Sequence, residues 1–376
     1  MSDRPRNADR PVRIVLVGAG AMGQAWARAL HGHPRCRLAG IVDADPRRAR
    51  GLALRLRLPE LPVGTALDAL PGVAADACVN ATPPQVHRSV ITEALGSGLS
   101  VLTEKPFAMD AYEAAELTRA AERHDRLLMV SQSRSLQPGV AAFRAAIDRL
   151  GGLDRLEARF SRGYPADGFR ADLDQPLLRD MAVHAFDTSR RLTGSDARSV
   201  YCDAPARPGT GYRGPAEATA LFTMLNGARF LYQGSWSAPA MPTAWSGSWR
   251  ATGRHGTATW NGAGTVRLAL VSGAPAPVPG AGARPEPDPG AAGTVLAEAE
   301  ADDQGFDRDP VRQVTPPLDE FLDALATGAP GWGSARNNLA TMAMLDAAIA
   351  SARSGTPVAV APVAEVTARP SAGPGR

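Results

Sequence analysis

Lys105, in the stretch "SVLTEKPFAM" (residues 100–109), is the single lysine of a chain that holds 41 lysines and arginines in 376 residues. Arginine serves wherever this protein needs a plain positive charge. A lysine differs in one useful respect: its ammonium gives up a proton when desolvated, and a guanidinium effectively does not. A solitary lysine is therefore expected where an amine must move a proton or hold a hydroxyl with a compact donor, the alternative being chance retention in a chain so depleted in lysine. Pro106 fixes the turn beside it, and Glu104 is placed to pair with the amine or to contact a cofactor. A second group lies in "LLRDMAVHAFDTSRRLTG", where Asp180, His184 and Asp187 are spaced by four and three residues. At 100° per residue that spacing predicts one stripe of a helix, with Met181, Ala185, Phe186 and Leu192 on other faces. An imidazole titrating near neutrality beside a carboxylate suits proton transfer. The chain has six histidines. His31, His33, His124 and His255 sit in loop-like or charged surroundings, so His184 is the strongest candidate, while His87 in "TPPQVH" is expected at the rim of a cofactor site.

The third group is a glycine pattern. "VGAGAMG" puts Gly18, Gly20 and Gly23 in GxGxxG spacing, with Ala19, Ala21 and Met22 between them, after the apolar run Ile14–Val17 and ahead of a helical stretch. Asp43 closes the next apolar run, 20 positions after Gly23. Such glycines allow a tight turn and close approach of backbone to a pyrophosphate, and the helix that follows presents N–H groups and its positive end. Asp43 would accept hydrogen bonds from ribose hydroxyls and repel a 2′-phosphate. NAD is thereby favoured over NADP, although Arg47 and Arg48 are near enough to leave NADP open. Flavin and S-adenosylmethionine enzymes use related turns and rank lower, because no second flavin-contact motif follows.

These residues need a scaffold, and the chain supplies two textures. From Val12 to Val130 short apolar runs alternate with amphipathic stretches, which predicts a doubly wound parallel sheet over residues 11–133. Asp45–Pro46 and Asp110 are expected helix N-caps. Beyond about residue 150 strands and hairpins dominate, as in "EATALFTMLNGARFLYQGSWS", with a helical interlude over 176–193. This predicts an α+β domain over 134–360 with an open, mostly antiparallel sheet. The Pro/Gly-rich segment 272–294 is expected to be a mobile insertion, residues 1–10 a disordered start and 361–376 a frayed tail.

Composition narrows the class further. Charged residues make up 21% of the chain and the net charge is only +3, without a basic block interleaved with aromatics, which argues against nucleic acid as a partner. Cys36, Cys78 and Cys202 lie far apart with no CxxC spacing, so neither a disulfide framework nor a metal site is expected. The polar "MSDRPRNADRP" reads as neither a secretory signal nor an anchor, and together these features point to the cytoplasm and away from a membrane.

In this order, "VGAGAMG", Asp43, "NATPPQVH", "TEKP", "SRSLQP", "DMAVHAFD" and the closing "EFLDAL" and "ARNNLATMAMLDAAIASARSGTPV" resemble the glucose–fructose oxidoreductase, inositol dehydrogenase and MocA family across nearly the whole chain. The resemblance implies Lys105, Asp180 and His184 as catalytic positions that also meet the substrate, with Arg134 as a further substrate contact. It implies Asn80, Thr82, Pro83, His87, Glu104 and Lys105 as cofactor neighbours beside the glycine turn. The implied activity is hydride transfer between NAD(P) and a secondary hydroxyl or ketone of a sugar, aminosugar or cyclitol, in a homodimer or homotetramer. Some relatives instead use bound NAD to cleave glycosidic bonds, and a nucleotide sensor without chemistry is a third alternative. "DQPLL" ahead of the Asp180 helix, where the family often has glycines, and the 272–294 insertion depart from the family pattern.

Overall fold

The computed structural model describes residues 10–70, 72–271, 294–300 and 305–368, with the backbone alone at 169 and 294–300. The expected disordered start, Arg10 apart, and residues 272–293 of the expected insertion lie outside the described residues. The described residues form two compact units. Of the described residues, unit 1 draws on those within 10–133, 310–342 and 362–368, and unit 2 on those within 134–309 and 343–361.

Unit 1 opens with β1 (Val12–Val17), α1 (Ala21–Gly32), β2 (Cys36–Val42), α2 (Pro46–Arg55), the short β3 (Val63–Gly64) and β4 (Ala77–Asn80). It continues with α3 (His87–Gly96), β5 (Ser100–Thr103), α4 (Ala111–Arg123) and β6 (Leu128–Val130). The six strands pair in parallel in the order β3-β2-β1-β4-β5-β6. Every residue of β4, β5 and β6 is buried, as strands covered on both faces must be. Asp45 caps α2 by accepting from the Arg47 backbone N–H at 3.0 Å, and Asp110 caps α4 by accepting from Glu113 N–H at 2.8 Å, both as the sequence predicts. Register then does the positioning. Val17 aligns with Val42 and Asn80, Asn80 with Thr103, and Thr103 with Val130. The next residue after each of the first four, Gly18, Asp43, Ala81 and Glu104, therefore shares one carboxyl edge, where ligands of such sheets collect.

In unit 2, α5 (Pro138–Asp148), β7 (Arg155–Ser161) and α6 (Gly168–Ala171) precede a π-helical turn, Leu178–Ala182, which runs into α7 (Val183–Thr193). Then come β8 (Ala197–Asp203), β9 (Glu217–Met224), β10 (Arg229–Ser235), β11 (Ser248–Gly253), β12 (Gly256–Trp260), β13 (Thr265–Leu270) and β14 (Thr294–Glu300). These strands and a short ninth one, Val358–Ala359, build a sheet in which only β7 and β10 pair in parallel. Alternate residues of β9 and β10 point inward, and Phe222, Phe230 and Tyr232 meet Phe186 of α7 at ring-centroid distances of 4.9, 6.4 and 5.6 Å.

The remaining elements are α8 (Pro310–Thr327), α9 (Ala335–Ser354), β15 (Val358–Ala359) and α10 (Val363–Ala368). They correct two expectations. Residues 134–360 do not form one unit, because the apolar face of α8 (Val314, Leu318, Phe321 and Leu322) is buried in the same core as Trp26 and Leu30 of α1. The tail is not frayed throughout: α10 buries Val366, and its Thr367 carbonyl accepts from Arg119 of α4 at 2.7 Å. No helix among the described residues is long and apolar enough to cross a membrane.

Candidate functional site

The three glycines of unit 1 answer to different constraints. Gly18 has φ +100°, and a Cβ there would lie 2.7 Å from the Ala81 backbone. A Cβ on Gly23 would stand 2.0 Å from the Gly18 carbonyl oxygen, so the first turn of α1 seats on the end of β1 only without a side chain. Gly20 differs: a Cβ there would meet nothing within 4 Å. Two glycines are demanded by the protein's own packing, and the third keeps an approach open. Gly20 is also the N-cap of α1, with no side-chain cap and no acidic residue in the first turn, so the helix end stays available to an anion. Beside it, the half-buried Asp43 accepts from the Ala19 backbone N–H at 2.7 Å through one oxygen and from Asp45 N–H at 2.9 Å through the other. Each oxygen retains a lone pair for a ribose hydroxyl. Arg47 is turned onto Asp45, at 3.1 and 3.2 Å, which leaves it no hold on a 2′-phosphate in this arrangement. An NAD pyrophosphate and ribose fit what Gly18, Ala19, Gly20, Ala21, Met22, Gly23 and Asp43 present.

Behind the cradle a network ties the loops that follow β4 and β5. Asn80 donates to Thr103 Oγ1 at 3.0 Å and accepts from the Thr82 N–H and hydroxyl at 3.2 and 2.7 Å. His87 sets one ring nitrogen 2.9 Å from the Thr82 carbonyl and the other 2.9 Å from the Pro106 carbonyl. The expectation of His87 at the rim is corrected, since its side chain has no exposed surface. It clasps the turns around Pro83 and Lys105, and burial, reinforced by the Lys105 charge, lowers its pKa to about 4. Asn80 is fully buried too and acts by ordering Thr82. Glu104 is also turned inward: its carboxylate accepts from the Trp26 indole N–H at 2.9 Å and from the Lys105 backbone N–H at 3.3 Å. Burial raises the Glu104 pKa, with Lys105 and Trp26 opposing the rise. Lys105 itself is half-buried, directly after β5.

Unit 2 gathers the other candidates. Asp180 lies within the π turn, 4% exposed, and its carboxylate receives Arg170 Nε at 2.7 Å. His184, 6% exposed, lines a small cavity with Arg134, Phe160, Tyr232, Trp245 and Ser246. Arg134 donates to Ser246 Oγ at 3.2 Å and stands 3.8 Å from Asp307. Burial lowers the Arg134 pKa to about 10, with Asp307 and Asp180 opposing and Arg162 adding to the fall, so the guanidinium stays charged at neutral pH. The single stripe expected for Asp180, His184 and Asp187 is corrected. The π turn holds an extra residue per turn and breaks the 100° phase, and Asp187, fully buried, pairs with Ser135 and lies 3.9 Å from Arg190. Sequence reasoning missed Trp26, Arg170, Trp245 and Asp307. Among so many arginines Arg170 carried no signal, although a tryptophan in a polar loop such as "TAWSGSW" was a cue to an aromatic platform.

Comparison with known proteins agrees with this architecture. The oxidoreductase family model with an NAD-binding Rossmann fold matches residues 12–132, and the GFO/IDH/MocA C-terminal domain model matches residues 140–259. An inositol 2-dehydrogenase of Rhizobium meliloti is 30% identical over 197 residues, 51% of this chain and 58% of that protein. A UDP-N-acetylglucosamine 3-dehydrogenase of Acidithiobacillus ferrooxidans is 29% identical over 189 residues, 50% of this chain and 56% of that protein. The chain thus spans just over half the length of these curated relatives. A crystal structure of an oxidoreductase from Agrobacterium radiobacter, solved with NAD+, L-tartaric acid and magnesium, superposes with a TM-score of 0.78 at 21% identity, over 93% of this chain and 98% of that one. The chain belongs to the glucose–fructose oxidoreductase, inositol dehydrogenase and MocA family of NAD-binding oxidoreductases.

Proposed function

We propose that the protein is an NAD-dependent dehydrogenase acting on a secondary hydroxyl of a sugar, aminosugar or cyclitol. The observation that carries this reading is a buried imidazole, His184, facing a cavity walled by Trp245 and Arg134, in a chain whose other unit holds an open dinucleotide cradle. NAD, when bound, supplies the acceptor for the hydride leaving the carbinol carbon. His184 takes the hydroxyl proton. Lys105 steadies the developing alkoxide and relays that proton, and Asp180, fixed by Arg170, orients neighbouring hydroxyls. Acid–base help of this kind contributes about 10²–10⁴-fold. The relatives named for inositol and UDP-N-acetylglucosamine support the substrate class.

The same reading puts the protein in the cytoplasm as a homodimer or homotetramer. In its support, Tyr201 of β8 and Leu221 of β9 are register partners and are 46% and 44% exposed on the outer face of the sheet. Sedimentation of a monomer at micromolar concentration would refute the assembly. The activity is tested with a panel of cyclitols, sugars and aminosugars, followed by absorbance of free NADH and NADPH. Accumulating NADH supports a dehydrogenase. Bond cleavage with no free NADH would point to a redox-assisted glycosidase, and silence across the panel together with NAD binding would point to a sensor.

A further inference from the structure

Around Trp245, which lines the cavity beside His184, more positive charge gathers than hydroxyl chemistry needs. Trp245 has two guanidiniums against it, Arg162 at 4.3 Å from the ring centroid and Arg134 at 5.9 Å. Arg134 has a carboxylate 3.8 Å away in Asp307, whose other oxygen accepts from the Trp245 backbone N–H at 2.8 Å. Arg162 is half-buried, donates to the Thr243 carbonyl at 2.7 Å, and among the described residues pairs with no carboxylate. The buried Nε of Arg134 likewise has no hydrogen-bond partner among them. Three guanidiniums, Arg134, Arg162 and the Arg170 paired with Asp180, thus face two acids, Asp307 and Asp180, and leave an excess cation and a spare buried donor. Leaving such a donor unmet costs about 1–3 kcal/mol. Neutral sugars offer hydroxyls that Asp180 can bind, but nothing that neutralises this excess. An oxyanion does both, because guanidiniums present paired N–H groups to carboxylate or phosphate oxygens. Tyr164 and the buried Trp236 stand edge-on to Trp245, with centroids 5.9 and 5.8 Å away and interplanar angles of 71° and 70°, and fix the indole between the guanidiniums.

We propose that the substrate is an acidic sugar, whose carboxylate or phosphate is held by Arg134 and Arg162 beside Trp245. This rests on the reading of the His184 cavity as the substrate site of a dehydrogenase. The test compares compounds that differ only at carbon 6: D-glucose, D-glucuronate and D-glucose 6-phosphate, with the corresponding galactose series, on the NAD-loaded full-length protein. An anion is expected to exceed its neutral parent at least tenfold in kcat/KM, and whichever anion leads identifies the group. Arg162→Gln is expected to lose at least tenfold more on the anion than on the neutral sugar, and Arg162→Lys to recover part of that loss. A purely structural role for Arg162 would lower both alike, and that result overturns the proposal, as does equal or better turnover of the neutral sugars. Where nothing in either series is oxidised, calorimetric titration of the same anions decides. Binding weakened tenfold in Arg162→Gln supports the proposal, and no binding of either anion at millimolar concentration overturns it. Oxidation of neutral sugars without anion preference leaves the dehydrogenase reading standing, whereas anion binding without NADH formation removes that reading and keeps the anion site.

Discussion

The two units put their functional groups in place by different means. In unit 1 they follow one another along a sheet edge set by parallel register: Gly18, Asp43, Ala81 and Glu104 come next after aligned strand ends, with Lys105 beside the last. In unit 2 the corresponding groups arrive from well-separated places in the chain: Arg134 before α5, Arg162 after β7, Arg170 in α6, Asp180 in a π turn, Trp245 in a loop and Asp307 beyond β14. Backbone geometry fixes the first arrangement and side-chain packing fixes the second. Unit 1 is therefore constrained at the level of single glycines, while each candidate group of unit 2 depends on the side chains packed around it.

The largest effect that would sharpen this contrast lies at the glycines. Gly23→Ala drives a methyl into the Gly18 carbonyl and is expected to cost about 3 kcal/mol or more, read as a collapse of Tm with loss of NAD binding. Gly20→Ala has open space and is expected to keep its Tm while weakening NAD about tenfold, ~1.4 kcal/mol, by calorimetry. Equal Tm losses in the two variants would break the division between packing glycines and an approach glycine. Next comes Lys105→Arg, expected to fold and bind NAD normally yet to lose about 10²–10⁴-fold in kcat on whichever substrate the panel yields. A wild-type rate in that variant would remove Lys105 from the mechanism. Asp43→Ser removes the carboxylate expected to meet the ribose and should move the ratio of NAD to NADP efficiency by roughly 10–100-fold toward NADP.

The smallest effect is a pH dependence at His87. Its folded pKa, about 4, lies below the ordinary value of 6.5, so between those pH values the unfolded chain binds the extra proton. Stability from this group is complete above about pH 6.5 and falls as pH drops toward about 4. Chemical denaturation of His87→Gln across that window is expected to show a flatter slope than the parent. An identical slope would mean that burial does not hold His87 neutral against the two carbonyls, Thr82 and Pro106, that favour its protonated form.

How far the sequence was legible follows the same contrast. The glycine spacing, Asp43, the caps at Asp45 and Asp110 and the alternation of strands and helices were readable, because each depends on local backbone chemistry. His184 and Asp180 were found by their spacing. The phase linking them to Asp187 was misjudged, because a wider turn leaves no mark in the order of residues. The place of α8 was missed as well, since an apolar stripe announces burial without naming its partner. The inward turn of His87 and Glu104 was equally hidden, since direction is set by neighbours such as Trp26 and the Pro106 carbonyl.

Trp26 links two stretches that lie far apart in the chain. It lies on α1, the helix that follows the glycine turn, and its indole grips the acid whose chain neighbour is the single amine. One ring and one carboxylate thus tie the helix behind the glycine turn to the residue that precedes Lys105, so that the backbone of the single lysine is anchored from α1.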